Sequence, residues 1–316
     1  MKENNELIFL KPVLKERIWG GTRLRTEWGY DSDLPGALGE CWAVSCNGQA
    51  DCEVMGGRYR GRHLSELWKK CPELFGGETK GDFPLLVKII DAGEDLSVQV
   101  HPDDAYAQAH GGGNGKWECW YILDCPEHAE LIAGSHATCR DELEQMIREG
   151  AWDTLLNRVP IRKGDFLRVD PGTLHAITAG VELLEVQQNS DITYRIYDYG
   201  RHQNGKLREL HLSDGVEVTR VPYCITSADV IHTDPQENVP QLLADTPQYR
   251  MWTIAVNGTS APKIKSERFL IGNVLDGNGT IDGMEVRKGM HFIVPGGYMP
   301  AQLEGRMRVN LTEPVS

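Results

Sequence analysis

Short strand-like segments separated by turn residues dominate the sequence and limit the folds open to the chain. The segments are rich in Val, Ile, Tyr and Trp, and Gly, Pro, Asn and Asp lie between them, which is typical of antiparallel β sheet. The clearest of them are ECWAVSC, PLLVKII, LSVQVH, CWYIL, AELIAG, DFLRVD, VELLEVQQ, ITYRIYDY, RFLIGNVL and HFIVP. Repeated βα units do not occur, which argues against a doubly wound parallel sheet. We therefore predict a mainly β fold.

Helical pattern is confined to segments near 63–75 and 138–157. The first segment reads HLSELWKKCPELF, and the second reads TCRDELEQMIREGAWDTLLNRV. Thr138 is the expected N-cap of the second helix, because acidic residues follow it in the first turn. Three apolar residues of that helix share one face: Leu143, Met146 and Ile147. The sequence thus predicts a small helical insertion in a β protein.

The length of 316 residues exceeds what one hydrophobic core usually serves, so two domains are expected. We predict a catalytic domain over residues 1–225 and a degenerate domain over residues 226–316, with N-terminal strands able to cross over. The segments RKGDFLRVDPGTLHAI and RKGMHFIVPGGYMPAQ share an Arg-Lys-Gly start, an apolar strand and a Pro/Gly turn. This weak echo suggests two similar β barrels. Met299 and Pro300 occupy the place that His175 has in the first copy, so the second barrel is expected to lack the chemistry.

The charge and the cysteines restrict the partners and the compartment. A net charge of −13 makes nucleic acid and anionic membranes poor partners, whereas an anionic small molecule needs only local Lys and Arg. The eight cysteines form no CxxC pair, so we expect reduced thiols in a cytoplasmic protein. The N-terminal apolar run is too short for a signal peptide, and no segment has the apolar length of a membrane helix.

One strand carries two polar residues at its end. In LSVQVH, Gln99 and His101 point to the same side of the strand, and Pro102 then ends the ladder. Glu118 follows at the start of the next expected strand, and His175 follows a Pro-Gly turn. One amide oxygen, two imidazoles and one carboxylate suit Zn²⁺ or a similar divalent ion with a position open for substrate.

Each of these residues also has a plainer interpretation. Polar side chains at strand ends commonly only bond to backbone groups. The remaining histidines of note lack comparable settings and are interpreted as structural or solvated: His110, His136, His202, His211 and His291. The residues alone therefore predict a β-barrel metalloprotein and no more.

Longer motifs resemble a known family. The segment FPLLVKIIDAGEDLSVQVHPDD resembles the signature of the type I mannose-6-phosphate isomerases, which are cupin-fold (jelly-roll) zinc enzymes. The similarity continues through GKWECWYIL, VDPGTLHAI and EVQQNSDITYRIYDYGR, and RIWGG, GECWAVS and LSELW look like the shorter bacterial branch. It covers about the first two thirds of the chain. Trp117 and Cys119 flank Glu118 where longer members have a Pro-containing segment, and the large helical domain of the eukaryotic type is missing.

The resemblance implies two sets of site residues. The family's single zinc ion per chain would be held by Gln99, His101, Glu118 and His175. The active-site residues carried over are Arg195, Lys116, Glu185 and Lys88. In our assignment Arg195 binds the substrate anion and the enediolate, Lys116 serves proton transfer or phosphate, and the last two form an orienting pair. The implied reaction interconverts mannose 6-phosphate and fructose 6-phosphate, with a sugar phosphate as the small-molecule partner.

Alternatives remain open at this point. Arg195 could be a solvent-facing strand arginine paired with Asp191 or Asp198, and Lys116 a plain surface charge in a glycine-rich loop. Lys88 and Glu185 interrupt apolar strands and need partners, because a buried unpaired charge is costly. The rival functions are another cupin sugar-phosphate isomerase or epimerase, a non-catalytic sugar-binding cupin, and a metal-dependent dioxygenase.

Overall fold

Antiparallel strands dominate the regular secondary structure of the protein. The computed structural model describes residues 6–77, 79–111, 113–264, 266, 268–298, 300 and 302–315, so Met299 of the sequence echo lies outside the described residues. The strands run in chain order as β1 Ile8–Lys11, β2 Val13–Gly21, β3 Leu38–Val44, β4 Cys46–Asn47, β5 Ala50–Asp51, β6 Glu53–Val54, β7 Leu85–Asp91, β8 Val98–Val100, β9 Glu118–Asp124, β10 Glu130–Ser135, β11 Leu156–Pro160, β12 Asp165–Val169, β13 His175–Ala176, β14 Glu182–Gln188, β15 Tyr194–Tyr197, β16 His202–Gln203, β17 Lys206–Leu207, β18 Tyr223–Cys224, β19 Ile231–His232, β20 Gln241–Asp245, β21 Tyr249–Ser260, β22 Leu270–Ile281, β23 Met284–Arg287, β24 His291–Val294 and β25 Leu303–Pro314. The prediction of a mainly β fold is confirmed.

The helices are short and lie between the strands. They are α1 Arg23–Thr26, α2 Leu64–Lys70, α3 Asp104–Ala109, α4 Arg140–Glu149, α5 Trp152–Leu155 and α6 Leu212–Val218, with 3-10 turns at Gly57–Tyr59, Pro72–Phe75 and Ser227–Asp229. Helix α2 and the turn after it fall in the first predicted helical segment, and α4 and α5 fall in the second. None of the helices in the described ranges is both long and apolar enough to cross a membrane.

The predicted N-cap of α4 was wrong. The helix begins at Arg140, and Cys139 occupies the flanking position. The hydroxyl and the backbone N–H of Thr138 both donate to the carboxylate of Glu142, at 2.5 and 2.7 Å. The threonine therefore acts as a donor to a side chain one turn on, whereas an N-cap accepts from a helical N–H. Leu143 and Ile147 are buried, as the apolar face predicts.

Within the described residues, three large sheets account for most of the architecture. The middle sheet has the order β19-β12-β9-β14-β7-β3-β2, and the site sheet has the order β11-β10-β13-β8-β15 with β18 beside β10. The C-terminal sheet has the order β20-β21-β25-β22-β24-β1-β6 with β23 beside β22. Strands β1 and β6 thus come from the N-terminal part of the chain, and β19 carries the chain past residue 226 into the middle sheet. The division of the chain at residue 225 stays a prediction.

The middle sheet is buried on both faces, which explains its nearly continuous apolar strands. In β7, Val87 and Ile89 belong to a core shared with the C-terminal sheet. Ile90 belongs to the core shared with the site sheet, and Lys88 projects to that same side because side chains alternate along a strand. The lysine in PLLVKII therefore faces the space between the middle sheet and the site sheet.

His291 lies in a buried polar network between the N-terminal segment and the C-terminal sheet. Its Nδ1 is 2.8 Å from Oδ1 of Asn273, and its Nε2 is 2.7 Å from the hydroxyl of Tyr30. Complete burial lowers the pKa of this imidazole to about 3, so it stays neutral. Both ring nitrogens are engaged, which identifies His291 as a structural residue of the interface between the sheets.

Candidate active site

A row of three predicted residues crosses the site sheet. Gln99 on β8 pairs directly with His175 on β13 and with Arg195 on β15. Residues directly opposite one another in an antiparallel ladder project to the same face. Strand pairing therefore brings together side chains that are as far as 96 positions apart in the sequence.

A second row crosses the middle sheet and faces the first. Lys88 on β7 pairs with Glu185 on β14 and with Trp42 on β3. Gln187 on β14 pairs with Glu118 on β9. The alternation of side chains places these residues on the face that looks towards the site sheet, opposite the row of Gln99.

A cavity of about 410 Å³ lies between the two rows. Five of the predicted residues line it, namely Gln99, Lys116, Lys88, Glu185 and Arg195. The other three are buried beside Lys116, namely His101, Glu118 and His175. The eight predicted residues thus lie in or directly beside the wall of one cavity, although they come from six strands and two loops.

The two histidines and the glutamate form a compact cluster. Their donor atoms all lie within 4.8 Å of one another. Nε2 of His101 is 3.5 Å from Oε2 of Glu118, and Nε2 of His175 is 3.3 Å from Oε1 of the same carboxylate. All three side chains are buried, so water does not screen their interaction.

Backbone carbonyls fix the orientation of both imidazoles. Nδ1 of His101 is 2.9 Å from the carbonyl oxygen of Ile192, and Nδ1 of His175 is 2.8 Å from that of Thr173. A carbonyl only accepts, so each Nδ1 carries the proton and each Nε2 keeps its lone pair. Burial lowers the pKa of both imidazoles, which leaves them neutral. Neutral rings oriented in this way are the form that binds metal.

The cluster fits a cation. Among the described residues, neither Oε1 of Glu118 nor Nε2 of His175 makes a hydrogen bond, although both atoms are buried. Buried polar atoms without partners are costly, and a cation between them would satisfy both. The ammonium group of Lys116 already lies at this cluster, 3.0 Å from Nε2 of His101 and 2.6 Å from Oε2 of Glu118. The donor chemistry and the attracted positive charge both suit a divalent metal ion.

Lys116 is a buried residue of this cluster. Its side chain is only about 5% exposed, so the alternative of a plain surface charge was wrong. Burial alone would lower the pKa of its ammonium group, but the negative charges of Glu118 and Glu185 raise the pKa above the ordinary value. The glycine-rich loop before β9 therefore carries this cation into the cavity wall.

Lys88 and Glu185 form a buried ion pair. Nζ of Lys88 donates to Oε2 of Glu185 at 2.7 Å and to Oε1 of Gln187 at 2.6 Å. The other carboxylate oxygen of Glu185 accepts from the indole N–H of Trp120 at 3.2 Å. Burial would raise the pKa of Glu185, but the charges of Lys88 and Lys116 hold it below its ordinary value. Each charge thus has the partner that its apolar strand requires.

Removing one member of this pair is expected to destabilise the fold. Lys88→Met leaves the buried carboxylate of Glu185 without its main counter-charge, which should lower the free energy of unfolding by about 3–5 kcal/mol. The matched variant Lys88→Met with Glu185→Leu removes both charges and should recover most of that loss. Urea denaturation of the three proteins measures the difference. Equal losses in the single and the double variant would contradict the ion pair.

Arg195 contacts the protein differently from the other cations. Its Nη1 donates to the carbonyl oxygen of Glu209 at 2.9 Å, and its Nε is buried without a hydrogen bond in the part of the chain that is described. Asp198 instead accepts from Arg208, and Asp191 contacts Gln49. The predicted alternative of an arginine paired with one of these aspartates was therefore wrong. Burial and the nearby charge of Arg208 lower the pKa of its guanidinium.

The cavity collects positive charge in an acidic protein. Four of its five cations have carboxylate partners: Arg17 with Glu40 at 2.7 Å, Lys88 with Glu185 at 2.7 Å, Lys116 with Glu118 at 2.6 Å and Arg208 with Asp198 at 3.0 Å. Arg195 is the fifth, and no ion pair of its side chain occurs among the described residues. The cavity therefore offers a bound anion one cation whose charge is not already neutralised by a carboxylate.

Several residues that line the cavity had no role assigned from the sequence. Arg17 and Trp42 belong to the segments RIWGG and GECWAVS, which carried the resemblance without any assigned role. Glu40 binds Arg17 and accepts from the indole of Trp42 at 2.6 Å. Burial would raise the pKa of Glu40, but the charges of Lys88 and Arg17 lower it. No sequence signal marks Arg208, which lies in a loop with ordinary polar composition.

Comparisons with known proteins agree on one family. The sequence profile described as phosphomannose isomerase type I, catalytic domain, matches residues 7–142. A mannose-6-phosphate isomerase of Bacillus subtilis is 46% identical over 95% of this chain and 96% of its own length. A mannose-6-phosphate isomerase of Streptococcus mutans is 40% identical over 96% of this chain and 97% of its own length.

Solved structures agree in the fold. The crystal structure of the mannose 6-phosphate isomerase from Bacillus subtilis matches with a TM-score of 0.86 and 38% identity, covering 97% of this chain and 99% of that chain. A structure from Archaeoglobus fulgidus matches with a TM-score of 0.77 at 23% identity over the full length of both chains, which supports the fold alone.

Proposed function

Because this chain belongs to the type I mannose-6-phosphate isomerase family, we propose that it interconverts mannose 6-phosphate and fructose 6-phosphate. The observation that supports this most is the juxtaposition of the buried His101, Glu118 and His175 cluster with a cationic cavity. A merely structural metal site needs no unpaired Arg195 beside it. The reaction moves a proton from C2 of the sugar to C1 through an enediol.

The proposed cofactor is one zinc ion per chain. Gln99, His101, Glu118 and His175 would hold it, since two imidazole nitrogens, a carboxylate and an amide oxygen form a donor set that zinc accepts. When bound, the ion supplies Lewis acidity, which stabilises the negative charge that develops on the carbonyl oxygens. The hydrogen bonds from the two Nδ1–H groups keep both imidazoles in the metal-binding orientation.

The proton transfer requires an acid or base inside the cavity. Lys116 is the candidate that the geometry favours, because its Nζ lies in the cavity wall beside the cluster. A positioned general acid or base typically contributes about 10²–10⁴-fold to the rate. The Lys88–Glu185 ion pair lies on the middle-sheet wall of the cavity, and the carboxylate of Glu185 adds negative charge that favours the protonated form of Lys116.

Arg195 is the proposed partner of the substrate anion. Its guanidinium lines the cavity, and among the described residues a backbone carbonyl is its only hydrogen-bond acceptor. A planar guanidinium presents paired N–H donors that match phosphate and enediolate oxygens, and charge-assisted hydrogen bonds are the strong ones. Burial in the cavity wall strengthens the contact because little water screens it.

A coupled assay of fructose 6-phosphate formation tests the proposed function. Metal-replete protein should convert mannose 6-phosphate, and it should convert other aldohexose phosphates at least about 10²-fold more slowly. A protein that epimerises the substrate, consumes oxygen or only binds the sugar would contradict the proposal. Parallel oxygen uptake and binding measurements on the same sample separate these outcomes.

We also propose that residues 226–316 bind no catalytic metal and serve to support the catalytic part of the fold. Both ring nitrogens of His291 already have partners in Asn273 and Tyr30, so no lone pair is free for a metal. Elemental analysis of purified protein is therefore expected to give about one divalent ion per chain. A second ion lost from a His291→Asn variant would contradict this.

A further inference from the structure

A small hairpin stands at the rim of the cavity. Strands β16 and β17 are joined by Asn204 and Gly205, which have φ values of 54° and 77°. Positive φ at both central residues is the geometry of a type I′ turn, which fits the twist of two short paired strands. The residues of this hairpin, 202–207, are exposed, and Gln203 also lines the cavity. The hairpin thus lies between the cavity and the solvent.

A buried carboxylate holds both ends of the hairpin. Asp198 is 3% exposed, and it accepts from Nε of Arg201 at 3.1 Å and from Nη1 of Arg208 at 3.1 and 3.0 Å. Arg201 precedes the hairpin and Arg208 follows it. The backbone N–H of Arg208 also donates to the carbonyl oxygen of Arg201 at 3.2 Å. The carboxylate of Asp198 therefore links Arg201, which precedes the hairpin, to Arg208, which follows it.

Arg208 reaches the cavity beside Arg195. Both guanidinium groups line it, and the charge of Arg208 lowers the pKa of Arg195, so the two cations are close enough to repel. Holding like charges together is unfavourable unless an anion joins them. The carboxylate of Asp198 neutralises the charge of Arg208. Nε of Arg195, in contrast, has no hydrogen-bond partner within the described residues. A phosphate dianion has the charge to bridge the two groups.

We propose that Asp198 is a positioning residue that holds the 202–207 hairpin and Arg208 against the cavity, so that Arg208 and Arg195 together bind the phosphate of the substrate. This inference rests on the proposed function, since it assigns the phosphate to one end of the same cavity. Asp198 itself does not touch the substrate. It sets the affinity for the phosphate more than the rate of the proton transfer.

The variant Asp198→Asn tests this in the metal-loaded enzyme. It keeps the size of the side chain and removes the charge that both arginines need. The KM for mannose 6-phosphate should rise about 10- to 100-fold, the range that loss of one or two charged hydrogen bonds allows, while kcat changes less than about threefold. The dissociation constant of inorganic phosphate, measured by calorimetry, should rise by a similar factor.

Asp165→Asn is the matched control. Asp165 is an equally buried aspartate of β12 whose carboxylate pairs with His232 at 2.6 Å and which does not line the cavity. Its replacement should leave KM and phosphate binding unchanged at comparable loss of stability. Equal effects of the two variants, or an unchanged KM in Asp198→Asn, would overturn the positioning role.

Limited proteolysis gives a readout that does not depend on turnover. Trypsin cleaves after Arg201, Lys206 and Arg208, and cleavage there should be at least about tenfold faster in Asp198→Asn than in the wild type or the control. Inorganic phosphate should protect the wild type. Equal cleavage rates in the variant and the wild type would contradict the proposal that Asp198 holds the hairpin.

Two further outcomes keep the inference separate from the proposed function. If Asp198→Asn does not fold, Arg208→Gln retains the Asp198–Arg201 pair and should show the same rise in KM and in the phosphate dissociation constant; unchanged values would overturn the inference. The wild type could bind phosphate, and the variants could lose that binding, while the wild type does not isomerise mannose 6-phosphate. This result would support the phosphate site and refute the proposed function.

Discussion

Replacing Glu118 by glutamine is expected to remove the metal and to lower kcat by at least about 10³-fold. The carboxylate is the negative donor of the cluster and lies within 3.5 Å of both imidazoles. Glutamine has nearly the same shape, so the strand pairing of β9 should survive. In the proposed mechanism, loss of the metal ion would remove several kcal/mol of stabilisation of the developing charge, which corresponds to this factor in rate.

Glu182→Gln is the matched control for this variant. Glu182 is also a buried glutamate of the middle sheet, but its carboxylate bonds the indole of Trp28 at 2.7 Å and lies outside the cavity. Elemental analysis, unfolding curves and kcat should be measured for both variants. Full metal content and near-normal turnover in Glu118→Gln would refute the assigned ligand, whereas the control should keep its metal.

Arg195→Ala should lower turnover by about 10²–10³-fold while the fold and the metal content survive. The loss reflects one charge-assisted contact that strengthens as negative charge develops, worth roughly 3–4 kcal/mol. Arg195→Lys should restore little, because an ammonium group cannot present the planar pair of donors. If Arg195 were only a surface arginine, its replacement by alanine would change the free energy of unfolding by only about 0.5 kcal/mol and leave turnover unchanged.

The control for Arg195 is Arg168→Ala. Arg168 also lies on a strand, but its side chain is half exposed. It forms an ion pair with Asp170 at 2.9 Å, and this pair does not line the cavity. The comparison uses kcat and kcat/KM for mannose 6-phosphate together with the metal content of each sample. Near-equal values for wild type and Arg195→Ala at equal metal occupancy would move Arg195 out of the active site.

The strands of the fold could be predicted because their signals are local. Alternation and turn residues define each segment, and Lys88 within PLLVKII already indicated a polar cavity or a charged partner. The order of strands is not local information. It depends on which faces are buried together, so the burial of both faces of β7 became visible only in the three-layer arrangement.

The candidate site could be predicted in part for the same reason. Gln99 and His101 are two residues apart at the end of one expected strand, so their spacing alone indicates a common site, although in the structure His101 directly follows β8. Arg208 enters the cavity from a loop whose sequence carries no signal, and Arg17 belongs to a segment that carried the resemblance without indicating a role, so only the fold brings both to the cavity. Asp198 pairs with Arg201 and Arg208, but Arg195 is as near in the sequence as Arg201. The sequence alone therefore could not show which arginine Asp198 binds.

Metal titration of the chelated protein tests whether isomerase activity depends on one bound metal ion per chain. Exhaustive chelation followed by elemental analysis gives a metal-free sample, and zinc is then added stepwise while fructose 6-phosphate formation is measured. We expect negligible activity without metal and a linear rise that ends at about one ion per chain. Full isomerase activity in a sample that elemental analysis shows to be free of metal would contradict it.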